Sequence, residues 1–184
     1  MKYLKNDITP QHFLKISYLL IVSIFFSCNA DRNKKVDVDE FDFSTTDASE
    51  LYFKNIRESY YNVEEKDGIK VFRLKAYDDI EKSVMKPMIV YHWRTDKAYL
   101  MLEFSDDVDA EDISLQLAGS AQNYEIVQIK DHLALANDLY NTINEEKECL
   151  LNQGGELTPL FSETSEKSNF SLVLYDFFRF TNVY

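Results

Sequence analysis

From residue 49 onward the apolar positions recur with a period of two over short stretches, and only once with a longer period. Residues 69–77 alternate Phe72, Leu74 and Ala76 with Val71, Arg73 and Lys75, the pattern of a strand with one buried face. Lys66-Asp67-Gly68 ahead of it is a turn signal, so the aromatic stretch 51–61 pairs with it as a first hairpin. That stretch fits two periods. Tyr52, Ile56 and Tyr60 share a strand face, while Phe53, Ile56 and Tyr60 form a helical stripe with Asp47 or Ser49 as a cap; its aromatic content favours the strand.

After a polar connection over 78–86, Pro87 opens the apolar segment 88–93, which the short polar loop 94–97 joins to 98–104. In this second hairpin Leu100, Leu102 and Phe104 form one face, and Tyr99, Met101 and Glu103 the other. Ile113, Leu115 and Leu117 then alternate with polar residues, Gly119-Ser120 turns the chain, and 124–129 completes a third pair. At Asp131 the period changes to 3.6. Leu133, Ala136, Tyr140 and Ile143 lie on one side, widened by Leu139 and Leu150, with Asp131 as N-cap and the stop signal in 152–155. This predicts a helix over 131–151. Phe170, Leu172 and Leu174 alternate as one more strand, and 176–184 is aromatic enough to dock on the core.

Hairpins in series before one late helix, with no βαβ order, predict an α+β fold: a mainly antiparallel sheet of six or seven strands with one long helix packed on one face. The predicted organisation is a leader over 1–27, an acidic tether over 28–48 and a single domain over 49–184.

The start of the chain follows a different rule. Residues 16–26 are an unbroken apolar run, too short for the roughly twenty residues a spanning helix needs. Lys2, Lys5 and Lys15 precede it against a single Asp7, and a polar stretch follows. The run ends in Ser27-Cys28, with Phe25 and Phe26 before it where an aliphatic and a small residue are usual. This arrangement resembles the lipobox of bacterial lipoproteins. The resemblance implies cleavage between Ser27 and Cys28, acylation of Cys28, and membrane attachment through lipid, since two or three acyl chains hold far better than one. Asn29 rather than an aspartate after the cysteine implies, by the same resemblance, the outer membrane. An ordinary secretory signal and an uncleaved anchor are the other readings of this segment. The remainder resembles the small uncharacterised lipoproteins of Gram-negative bacteria, which implies nothing about activity.

The chain has 20 basic and 32 acidic residues; loss of 1–27 removes three lysines and one aspartate, leaving 17 against 31, a net charge of −14. That balance argues against nucleic acid, whose binding rests on cationic contacts to phosphate, and against electrostatic docking on anionic lipid. Residues 29–48 combine high charge with few apolar positions and read as a spacer; Asp37, Asp39, Glu40 and Asp42 also suit a sorting signal.

The residue inventory narrows the chemistry further. All four glycines fall at predicted turns or the helix stop, so no glycine-rich phosphate loop is available and neither nucleotide nor cofactor is expected. Only His92 and His132 follow the cleavage site, and HExxH, GxSxG and CxxC are absent, so no metal is expected. Cys149 near the predicted helix end reads as a half-buried structural thiol. The acidic run 106–112 lacks the glycine and closing glutamate of an EF-hand and reads as a solvated loop, with calcium binding as the alternative. Tyr91, Trp93 and Arg94 are the candidate binding residues, and alternation puts Tyr91 and Trp93 opposite His92. Their other reading is core packing for Trp93 with His92 and Arg94 exposed. The expectation is a non-enzymatic envelope module that binds a protein or glycan, or assists assembly. The rival is a carboxylate-dependent glycoside hydrolase or transferase.

Overall fold

Two four-stranded antiparallel sheets, rather than one larger sheet, form the α+β fold of this protein. The computed structural model describes residues 36–80 and 82–184. The first sheet is a meander of β1 (Tyr61–Lys66), β2 (Ile69–Leu74), β3 (Met85–His92) and β4 (Lys97–Phe104), in that order. The second contains β5 (Ile113–Leu117), β6 (Ser120–Tyr124), β7 (Cys149–Gln153) and β8 (Glu156–Pro159), in the order β6-β5-β7-β8. Among the described residues three α-helices accompany them: α1 (Asp47–Tyr52), α2 (Ile129–Asn144) and α3 (Thr164–Phe180).

The alternation read from the sequence does set the register of the first sheet. Phe72 stands opposite Ile89, and Ile89 opposite Leu100; all three are buried against the helices. Leu133, Leu135, Ala136 and Leu139 of α2 meet Phe170, Val173, Leu174, Phe177 and Phe178 of α3 in the same continuous core. Apolar burial on this scale, at about 25 cal/mol per Å² removed from water, is the main force holding the layers together.

Five expectations about particular segments need correction. Residues 51–60 are helical. Thr46 and Ser49 form a capping box, the Ser49 hydroxyl donates to the Phe180 carbonyl at 2.7 Å, and α1 runs on through a π turn (Phe53–Arg57) and a 3₁₀ turn (Glu58–Tyr60) into β1. Only Phe53 of the predicted stripe is buried, stacked on Phe180 at 4.6 Å; long-range packing overrides local propensity here.

The second correction is at the end of α2. Glu146 adopts a left-handed conformation (φ 56°), and its N–H and that of Lys147 close on the carbonyls of Ile143 and Thr142, so the helix stops there. Residues 149–153 are then free to form β7, where Cys149 and Leu151 face Leu117 and Leu115. The third lies at 170–174, which belongs to α3. Phe170, Val173, Leu174, Phe177 and Phe178 repeat at helical spacing, a longer match than three alternating residues provide. The third hairpin is also tighter than expected: the strand placed at 124–129 lies at 120–124, directly after Ala118 and Gly119, both at positive φ.

Finally, the described part of the expected spacer, from Val36, lies on the core. Phe41 stacks on Phe177 at 5.6 Å, Phe43 meets Tyr99 at 5.2 Å, and the Ala98 N–H donates to the Phe43 carbonyl at 2.9 Å. Together with His132, whose Nδ1 accepts the Leu102 N–H at 3.1 Å, this segment covers the free edge of β4. A fifth strand is thereby blocked on that side, and β5 starts a sheet of its own.

Candidate functional site

The helical entry 47–60 packs beside the inner face of β2 and β3 but leaves a gap above it. The result is a groove of about 500 Å³. Phe53, Phe72, Tyr91 and Phe180 form its floor, and Leu51 and Trp93 stand on its walls. Asp47, Glu50, Glu58 and Glu65 line it together with Lys54 and Lys70. Leu51 is 60% exposed and Trp93 43%, large apolar surfaces that the fold leaves in water beside a ready-made aromatic floor.

Each floor residue is held from below. Tyr91 is 6% exposed, with its ring 5.0 Å from Phe180 and its hydroxyl beside the Glu50 and Thr45 side chains. Burial, followed by the neighbouring Glu50 carboxylate, pushes its pKa up, so the phenol stays protonated. Thr45 in turn donates to Glu50 at 2.8 Å, which fixes that carboxylate at the groove wall. Behind the groove, buried Asp176 of α3 accepts from Arg57 Nε and Nη2 (2.9 and 2.8 Å) and from the Tyr61 hydroxyl (2.6 Å). This cluster ties the helical entry and β1 to the last helix.

Of the sequence-predicted binding residues, Tyr91 and Trp93 come together in the groove, and His92 projects from the other face of β3, as alternation implies. The core-packing alternative for Trp93 does not hold, given its exposure. Arg94 is not a lining residue. Its guanidinium lies 5.3 Å from the Trp93 ring centre and packs over Gly68, where a Cβ would approach Nε to 2.9 Å. Arg94 therefore props Trp93 from outside. The sequence reading missed Glu50, Leu51, Phe53 and Phe180, because their side of the groove was taken as a strand and a docked tail. Two signals pointed to them: the helical stripe of Phe53, Ile56 and Tyr60, and for Phe180 the helical spacing of 170–178.

The remaining candidates separate from this site. Cys149 is in β7 rather than at a helix end, and is buried fully rather than by half; burial pushes its thiol up to about 11. The acidic loop folds on itself, with the Glu111 N–H donating to Asp109 Oδ1 at 2.9 Å. Among the described residues no group of three or more His, Cys, Asp or Glu side chains is placed to hold a metal ion. None of the helices of the described residues is long and apolar enough to cross a membrane. Cys28 and the whole lipobox lie outside the described residues.

No family model, no curated protein and no solved structure matches this chain.

Proposed function

We propose that this protein is a lipid-anchored envelope module that recognises a partner in the groove between 47–60 and β2–β3, and that it performs no catalysis. The observation that carries this reading is the pairing of exposed Leu51 and Trp93 with a buried aromatic floor, which gives a partner both a pocket and an apolar anchor. Attachment rests on the Ser27-Cys28 lipobox. A module held at the membrane surface gains effective concentration for partners in the same layer.

The rival reading as a glycoside hydrolase or transferase draws on the four carboxylates that line the groove. Their surroundings suit it poorly. Glu50 accepts from Thr45 at 2.8 Å, Glu65 is paired with Lys70 at 3.7 Å and open to solvent, and Asp47 is exposed.

A photo-crosslinking residue placed at Leu51 in intact cells tests the groove, with the same probe at exposed Leu157 of β8 as control. A discrete adduct from position 51 alone is expected. Equal adducts from both positions would sink the groove as the recognition site, and glycoside turnover abolished by Glu50→Gln or Glu58→Gln would establish the enzyme instead. For the anchor, Cys28→Ala should abolish labelling with radioactive palmitate; persistent labelling would refute the lipobox.

A further inference from the structure

The two outer strands of the first sheet are treated differently. On β4 the edge is covered: Phe43 and Thr45 bond to Ala98 and Asp96, and His132 takes the Leu102 N–H. On β1, outside its pairing with β2, no backbone group of residues 62–66 is bonded among the described residues. These five residues are all exposed and carry no proline. A bare edge of this kind is a template for another strand. It is also where the apolar surface collects: Leu51, Ile56, Tyr60, Val63 and Trp93, five of the eight large apolar residues left exposed, lie on β1, on the helical entry that leads into it, or on the groove wall.

We propose that β1 accepts an extended, lysine- or arginine-bearing peptide segment of a partner protein as an added strand, with an apolar side chain of that segment laid in the groove. The proposal rests on the groove reading above and names its ligand class. Strand alternation puts Val63 and Glu65 on the groove side of β1 and Glu64 on the other side, so inward-pointing residues of an added strand would lie beside Val63 and Glu65. Charge selects the partner. Four carboxylates against two lysines line the groove, and Glu64 and Glu65 stand on the edge itself, each held only by a solvent-exposed ion pair that a new cation can replace. Pairing with a second copy in the antiparallel register that sets Glu64 opposite Glu65 would bring like charges together. A glycan would leave the unpaired backbone groups of 62–66 unused.

Trp93 is the only tryptophan in the chain, so its emission reports the groove directly. Titrating the full chain in detergent with the heptapeptide Lys-Phe-Lys-Val-Lys-Phe-Lys should shift that emission saturably and protect the amides of residues 62–66 from hydrogen exchange. Replacing the lysines by glutamate should weaken binding at least tenfold. Methylating alternate peptide nitrogens should abolish binding for one set and spare the other, because only one set faces β1. If Trp93 responds but both methylated sets bind alike, or 62–66 gains no protection, strand addition is wrong and the groove reading stands. A response to chitohexaose with none to peptide overturns the ligand class alone. Silence of Trp93 toward both probes, together with crosslinking that fails at position 51, overturns both readings.

Discussion

Removing the Asp176 carboxylate should cost this fold more than any surface change. The side chain is 1% exposed and receives three hydrogen bonds, two from the Arg57 guanidinium and one from the Tyr61 hydroxyl. Burial and then the Asp176 charge hold the Tyr61 phenol well above its usual pKa, so it remains a donor. Asp176→Ala strands a largely buried cation and a buried hydroxyl at once, and breaking such a pair costs about 3–5 kcal/mol. For a domain of this size that is roughly 6–20 °C in Tm. Tyr61→Phe removes one charge-assisted bond and should cost about 1.5–3 kcal/mol. The double variant Arg57→Met/Asp176→Leu replaces both charges with apolar volume and should recover most of the loss, leaving about 1–3 kcal/mol for the buried Tyr61 hydroxyl, whose acceptor is gone. Urea unfolding followed by circular dichroism gives all three values. A loss below about 1 kcal/mol for Asp176→Ala, or a double variant no better than the single, would refute the reasoning.

Acid should destabilise the clasp on β4. Burial lowers the pKa of His132, whose Nδ1 must be unprotonated to accept the Leu102 N–H, so its contribution is complete above the ordinary histidine value of about 6.5 and is lost as pH falls below that toward the lowered value. His132→Ala should flatten that part of the stability profile in urea titrations at successive pH values. Gly68→Ala should cost about 1–2 kcal/mol, because φ is +89° and the new Cβ meets Arg94, with Tm as the readout. Trp93 emission should shift in the same variant, since Arg94 is displaced from its ring. Cys149, buried with its thiol raised to about 11, should resist iodoacetamide at pH 8 in the folded chain and react once urea unfolds it.

Much of the first sheet was legible locally. The turn at Asp67-Gly68 has both residues at positive φ, and the alternation over 69–74 and 98–104 named the buried face because a strand between core and solvent must sort its side chains by period two. Tyr91 and Trp93 were placed on one side and His92 on the other by the same rule. What local pattern could not supply was partnership. Nothing near Glu146 announces a helix end, and Cys149 to Gln153 become a strand because β5, more than thirty residues earlier in the chain, offers them an edge. Residues 51–60 carry aromatics that suit a strand, yet Phe180 and Phe72 make a helix the arrangement that buries Phe53. The groove belongs wholly to this second kind of information. Its floor joins Phe53, Phe72, Tyr91 and Phe180 from four separate elements, and its depth depends on how far the helical entry stands off the sheet. The physical reason is that period and turn chemistry are set by neighbours along the chain, whereas edges, helix ends and cavities are set by which distant surfaces bury most apolar area together.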